Sequence, residues 1–339
     1  MRFSPSSRRF SQQRVASLRE SAAAVNVAHG GDEAPVAGLV SAIIIFLDAE
    51  RFLAEAIDSV LAQTHPQIEL LLVDDGSHDG SAGIASGYAS SRPDQVRLLR
   101  HPGGANLGMS ASRNLGLRNA RGEFVAFLDA DDTWLAGKSA AQVAILRGEP
   151  ALGAVYGRTQ IWYSWDAAAT TADFFYPLGV EPDRTYPPPV LFSNLLENRF
   201  QSPTTCNAMV RAAVARALGG FENRFRAMYE DQAFFAKLLL GSSVHVSSAY
   251  WARYRQHPGN SGNHYDPAHY FSDRQPLLRF VREYARARAE LLDARARSVL
   301  EREAWKAEHP ALALRWQRCR DWWRRTRRAL DRLAEGAKK

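Results

Sequence analysis

Short apolar segments alternate with helical patterns through the first half of the chain. The segments are typical of strands buried on both faces of a sheet, and they lie at 40–47, 68–73, 96–99 and 124–128. Between the first two, Leu53, Ile57 and Val60 recur at helical spacing. Strands that alternate with helices predict an α/β fold with a mainly parallel sheet, flanked by helices and connected by right-handed crossovers.

Acidic residues follow two of these predicted strands. Asp74 and Asp75 end one strand, and Asp129, Asp131 and Asp132 follow another. Because strand ends of an open α/β sheet line one crevice, we expect these carboxylates to converge. Oxygen ligands of this kind suit Mg²⁺ or Mn²⁺, with substrate phosphates completing the shell. The alternative is a polar turn in which Asp132 caps the next helix.

The net charge of +7 is unevenly distributed along the 339 residues. Residues 279–339 carry 18 Lys and Arg against 9 Asp and Glu, and residues 1–20 carry five Arg and one Glu. The remainder is therefore acidic, at 7 − 9 − 4 = −6. A nucleic-acid-binding core would be basic on its binding face, so we expect no nucleic acid partner.

The cysteines and the apolar segments bear on the cellular compartment. Cys206 and Cys319 form no CxxC pair and no disulfide framework, which fits a reducing cytoplasm. The sequence contains no stretch of 18 apolar residues, so we expect no transmembrane helix. Its first residues lack the apolar core of a secretory signal. We therefore expect a cytoplasmic protein.

Two later segments carry candidate chemistry with a plain alternative beside each. Glu230 and Asp231 begin a predicted helix, where the helix dipole alone favours acidic residues. Arg255 and His257 lie in a glycine-containing segment that suits either a loop facing phosphate or a solvated turn. The glycine-rich segment 101–110 matches neither a dinucleotide fingerprint nor a P-loop.

Taken in order, the landmarks resemble family-2 glycosyltransferases of the GT-A fold over about residues 39–262. They are VSAIIIFLDAERFL, AIDSVLAQTHPQIELLLVDDGSHDGS, SASRNLGLRNARGEFVAFLDADDTW, MYEDQAFFAKL and YRQHPGNSG. The resemblance implies a nucleotide-binding half at 39–157 and an acceptor half at 158–265, which together form the catalytic domain. A disordered tail at 1–38 and a basic helical extension at 266–339 would flank it.

The resemblance also implies roles for residues that bind the donor. Asp75 would recognise the nucleotide base, and Arg113 would lie beside the nucleotide. Asp129 and Asp131 match the DxD pair, with Asp129 at the ribose and both available to a Mg²⁺ or Mn²⁺ cofactor. The family usually has an aromatic residue after the first strand, where Leu47 offers only apolar contact with the base.

On the acceptor side, Asp231 matches the catalytic base, and Arg255 and His257 match a loop that closes on the diphosphate. The resemblance thus implies inverting transfer of a sugar from a nucleotide-sugar, with UDP-sugar favoured, to a hydroxyl of a saccharide or lipid-linked acceptor. Synthesis of a polysaccharide or cell-envelope glycan would be a setting for it. A nucleotidyltransferase and an inactive nucleotide-sugar-binding protein of the same fold are the alternatives.

The C-terminal sequence has a regular apolar stripe among arginines. Its members recur at spacings of four and three and are Leu312, Trp316, Cys319, Trp323, Thr326, Leu330 and Leu333. Two interpretations stay open. The stripe packs on the catalytic domain or a partner helix, or residues 311–335 lie peripherally on an anionic membrane at its inner face.

Overall fold

The computed structural model describes residues 34–260 and 269–319. Its strands are β1 (Val36–Phe46), β2 (Ile68–Asp74), β3 (Val96–Arg100), β4 (Gly122–Asp129), β5 (Thr133–Trp134), β6 (Leu152–Trp162), β7 (Arg184–Tyr186), β8 (Ala208–Arg211) and β9 (Ser243–Arg255). Its helices are α1 (Leu53–Leu61), α2 (Ser81–Ser91), α3 (Met109–Asn119), α4 (Lys138–Gly148), α5 (Val190–Glu197), α6 (Ala212–Ala217), α7 (Glu230–Gly241), α8 (Tyr270–Asp273), α9 (Gln275–Arg286) and α10 (Ala294–Glu308).

The strands form one sheet in the order β3-β2-β1-β4-β8-β6-β9-β5, and β7 pairs with β9. The first four strands by sequence pair in parallel, as the strand and helix pattern predicted. Strand β8 lies antiparallel between β4 and β6, and β6 then pairs in parallel with β9. The sheet is therefore mixed: a parallel half is extended by a second half of both orientations.

Alternate residues of the central strands bury opposite faces of the sheet. Ile43 and Phe127 pack with α5, α7, α9 and α10 on one face. Ile44 and Phe124 pack with α1, α2 and α4 on the other. Burial of neighbouring residues on both faces explains why these strands have continuous apolar runs rather than an apolar-polar alternation.

The predicted C-terminal helices are present, and α10 packs against α5 and α9. A further helical segment at 310–319 exposes Leu312 and Trp316. Among the described residues no helix is long and apolar enough to cross a membrane. Most of the predicted tail, through 33, and the apolar stripe from 320 onward lie outside the described residues.

Candidate active site

The strand ends bring the acidic residues to one edge of the sheet. Strand β1 lies between β2 and β4, and its register aligns Phe46 with Asp74 and Ile45 with Asp129. Asp75, which follows Asp74, and Asp129 therefore lie at the same end of the sheet. The chain then turns through 130–132 into β5, which pairs with the end of β9 on the far side of the sheet. This turn carries Asp131 and Asp132 across to the residues around the end of β9.

Arg113 of α3 joins Asp129 to the first turn of α7. Arg113 is 1% exposed and donates from Nη2 to Asp129 Oδ1 at 2.6 Å and from Nη1 to Glu230 Oε1 at 2.8 Å. Asp129 Oδ2 accepts from the Thr205 hydroxyl at 2.9 Å. Burial by itself lowers the pKa of Arg113, but the two carboxylates raise it above its ordinary value. The arginine expected beside the nucleotide is thus a buried ion-pair partner.

Asp131 and Asp132 differ in surroundings although they are neighbours. The Asp131 side chain is partly exposed, and its Oδ2 lies 3.0 Å from His257 Nε2. Burial and the Asp129 carboxylate raise the pKa of Asp131, against the hydrogen bond with His257. Asp132 is buried and accepts the Arg255 backbone amide at 3.0 Å. Burial, then Asp131 and Asp129, raise the pKa of Asp132 well above its usual range. Asp132 therefore supports the turn.

Arg255 is enclosed rather than directed into open space. It is 3% exposed and donates from Nε to the Asp131 carbonyl at 2.7 Å and from Nη2 to Glu55 Oε2 at 2.6 Å. Its guanidinium lies 4.4–5.2 Å from the ring centroids of three aromatic residues, Phe52, Trp162 and Trp165. Arg255 therefore fixes the backbone that presents Asp131, and His257 is the residue of this segment nearest to the Asp131 carboxylate.

Asp75 is buried beneath the glycine-rich loop. Its carboxylate accepts the backbone amides of Leu107 and Gly108 at 2.9–3.1 Å, and His101 Nε2 lies 3.5 Å away. Gly108 has φ +90, and a Cβ there would lie 2.9 Å from the Cβ of Arg226, so glycine is required. Asp75, to which the resemblance assigns recognition of the base, thus holds the loop in place, and Leu47 is 43% exposed.

Asp231 occupies the first turn of α7, directly after the buried Glu230. Its Oδ1 accepts the Gln232 amide at 2.6 Å. The pKa of Asp231 is raised to about 7. Burial is the largest cause and Glu230 adds to it, whereas Arg113 acts to lower the pKa. A carboxylate that titrates near neutral pH suits general-base catalysis, because its protonation state and its basicity are then balanced.

The described residues contain no group of three or more His, Cys, Asp or Glu side chains in metal-binding geometry. Asp131 and His257 nevertheless place a carboxylate oxygen and an imidazole nitrogen 3.0 Å apart at a partly exposed position. Mg²⁺ is usually held by one or two carboxylates together with phosphates and water. The donor set therefore fits a divalent cation that arrives with a diphosphate, and Asp129 fits less well because Arg113 and Thr205 occupy both its oxygens.

Two residues of the site were missed by the sequence interpretation, and a third was named without its partner. Glu55 and Thr205 carry no local motif, since each meets its partner only through the fold. Glu230 was visible beside Asp231, but a helix dipole accounts for any acid at that position. Its burial against Arg113 is the signal that sets it apart, and burial is a property of the fold.

Residues 41–219 match the family model described as Glycosyl transferase family 2. The chain belongs to this family. The match includes Asp75, Arg113, Asp129 and Asp131 and ends before Asp231. The family predicted from the ordered landmarks is thereby confirmed.

Curated relatives are similar over part of their length. The chain is 38% identical over 117 residues to the uncharacterized glycosyltransferase alr2836 of Nostoc, which is 34% of this chain and 35% of that protein. It is 37% identical over 108 residues to WfgD of Escherichia coli, named a UDP-Glc:alpha-D-GlcNAc-diphosphoundecaprenol beta-1,3-glucosyltransferase, covering 32% and 41%. The match thus spans about a third of the first relative's length.

Solved structures confirm the fold class. Residues 1–349 of S. aureus TarS, in complex with UDP-GlcNAc, superpose with a TM-score of 0.56 at 20% identity, over 72% of this chain and 65% of that one. The mannosyltransferase PcManGT of Pyrobaculum calidifontis, in complex with GDP-Man and Mn²⁺, gives 0.50 at 19% identity over 91% and 90%. The mixed sheet with flanking helices is therefore of the GT-A type.

The enclosure of Arg255 predicts unequal effects on stability. Arg255→Met should lower the free energy of unfolding by about 2 kcal/mol, because it removes the donors to Asp131 and Glu55 and the aromatic contacts. Glu55→Gln should lower it by about 1 kcal/mol or less, since Glu55 is half exposed. Urea unfolding measures both. The exposed pair of Arg184 and Glu181 gives the control, Arg184→Met, which should leave the midpoint unchanged. Equal effects at Arg255 and Arg184 would contradict the structural role.

Proposed function

We propose that this protein is an inverting glycosyltransferase that moves a sugar from a nucleotide-sugar donor to an acceptor hydroxyl. The observation that carries the proposal is the bridge that Arg113 forms between the carboxylates of Asp129 and Glu230. It connects Asp129, at the strand edge where donors bind in such sheets, to the helix turn that holds Asp231. Membership of glycosyl transferase family 2 supports the reaction class.

The donor would lie over the ends of β1, β2 and β4. Leu47 at the rim would contact the base through its apolar side chain, and Asp75 would shape the base site through its hold on the loop at Leu107 and Gly108. Asp129 would face the ribose, oriented by Arg113. Uridine is favoured as the nucleoside, since WfgD is named for UDP-Glc and TarS was solved with UDP-GlcNAc.

Asp131 and His257 would hold Mg²⁺ or Mn²⁺ at the donor diphosphate, and Asp129 would contribute if Arg113 or Thr205 releases an oxygen. The cation would supply positive charge that stabilises the leaving diphosphate. Arg255 would contribute indirectly, because it holds the Asp131 carbonyl and the backbone next to His257. Water would be excluded by the residues around the end of β9.

Asp231 would take the proton of the acceptor hydroxyl as that oxygen bonds to the anomeric carbon. The bond from the anomeric carbon to the diphosphate oxygen breaks on the opposite face, and the electron pair leaves with the diphosphate. With one base and no second carboxylate assigned as a nucleophile, this single displacement inverts the anomeric centre. A saccharide or lipid-linked acceptor is proposed from the name of WfgD.

Donor binding tests the metal assignment. Calorimetric titration with UDP should give binding that strengthens with Mn²⁺, and Asp131→Asn should abolish the Mn²⁺ effect, because it removes the partly exposed carboxylate beside His257. Asp94→Asn, at an exposed position of the α2–β3 connection, is the control and should retain the effect. Full Mn²⁺ dependence in Asp131→Asn would contradict the assignment, and a panel of other nucleoside diphosphates would identify the base.

The pKa of Asp231 predicts the pH dependence of transfer. Only the deprotonated carboxylate accepts a proton, so kcat/KM should rise about tenfold per pH unit below about pH 7 and level off above it. Asp231→Asn should retain donor binding and lose transfer by about 10²-fold or more. A Glu230→Gln enzyme that is inactive at every pH beside a fully active Asp231→Asn enzyme would reassign the base.

The C-terminal segment 311–335 is proposed to contact an anionic membrane surface. Leu312 and Trp316 are exposed on the described helix, and residues 310–339 contain ten Lys and Arg against three Asp and Glu. In vesicle flotation, the full chain should bind phosphatidylserine vesicles, less so at high salt, and should not bind neutral vesicles. A chain ending at His309 should bind neither. Equal flotation of both chains would leave the helix as a packing element.

A further inference from the structure

Glu230 is a buried carboxylate that neither takes a proton nor contacts a substrate in the proposed reaction. It is 6% exposed, in the first turn of α7, after Tyr229 in the left-handed region (φ 65). An exposed acidic side chain would be enough for a favourable interaction with the helix dipole, so the dipole does not explain why Glu230 is buried. Burying a carboxylate is unfavourable unless it is paired, so its position calls for a specific partner. That partner is Arg113, at 2.8 Å.

Arg113 has to serve two carboxylates from one buried guanidinium. Asp129 of β4 and Glu230 of α7 flank it at 2.6 and 2.8 Å. Because the arginine comes from α3, the three charges connect three separate elements. A shift of α7 would break an ion pair with no water to replace it, so the position of α7 is coupled to that of Asp129.

The local charge does not balance. Three groups act electrostatically on Asp231, namely Glu230 on its own helix, Arg113 on α3 and Asp129 on β4. Two of them are negative, and only one is positive. The net negative charge around Asp231 therefore disfavours its ionised form and raises its pKa.

We propose that Glu230 is a positioning residue for the transfer reaction: it ties the start of α7 to Asp129 through Arg113, and its negative charge strengthens Asp231 as a proton acceptor. The catalytic purpose of Glu230 rests on the proposed function, whereas its ion pair with Arg113 and its effect on the pKa of Asp231 do not. The effect of Glu230 on Asp231 exists in the resting protein, without donor or acceptor.

The experiment follows the titration of Asp231 by carbon NMR in protein labelled at aspartate carboxyls, with Asp231→Asn to assign the signal. Glu230→Gln keeps an oxygen for Arg113 and removes the charge, so the Asp231 midpoint should fall by about one pH unit from near 7. The pH profile of kcat/KM should shift by the same amount. The matched control is Glu222→Gln. It removes a carboxylate that precedes α7 and pairs with Lys237 of that helix, and it should leave the Asp231 midpoint unchanged.

Glu230→Asp is the second variant if Glu230→Gln fails to fold, because it keeps a carboxylate for Arg113. Its retained charge should hold the Asp231 midpoint close to that of the unsubstituted protein, while transfer should fall because the shorter side chain loosens the contact with Arg113. A fall of a full pH unit in the Asp231 midpoint of Glu230→Asp would contradict the role of the charge. An unchanged midpoint in a folded Glu230→Gln protein, or an equal shift in Glu222→Gln, overturns the inference. If the midpoints move as expected but no sugar nucleotide is consumed, the proposed function fails and the inference stands.

Discussion

The buried guanidinium of Arg113 is the interaction on which the site depends. It connects the end of a parallel strand to the first turn of α7 through Asp129 and Glu230, and it is almost inaccessible to water. A buried ion pair adds little net stability compared with apolar packing, but loss of one partner leaves an uncompensated charge. Its value is therefore geometric. It sets the distance between the end of β4 and the first turn of α7, where Asp231 lies.

A second arginine does similar work on the other side of the acidic turn. Arg255 at the end of β9 binds the Asp131 carbonyl with its side chain and the Asp132 carboxylate with its backbone amide. Glu55 and three aromatic rings hold its guanidinium in place. Asp129 and Asp131 are thus positioned by different cations from different elements. The acidic residues are close together in sequence, and the two arginines keep their orientations distinct.

The sequence is informative where structure is local. Buried strands such as 124–128 are recognisable because both faces are apolar, and the acids after them follow from strand polarity. The pairing of β8 between β4 and β6 has no such signal, because antiparallel register between Val125 and Val210 depends on distant segments. The same limit applies at the site: Arg255 and Glu55 are 200 positions apart. The sequence could predict which residues belong to the site, such as Arg255, but not the residues with which they pair.

The mixed sheet places the acidic turn between its two halves. The parallel half ends in Asp75 and Asp129, which lie on the side where the donor is proposed to bind. Strand β5 leaves that half and pairs with β9 in the other, so the turn at 130–132 spans the boundary between them. Asp131 lies within this turn beside His257, and α7 approaches from the face that packs with Phe127. In the proposed reaction, the donor would lie over the parallel half with its diphosphate and cation at this boundary, and the acceptor would approach from the side of α7.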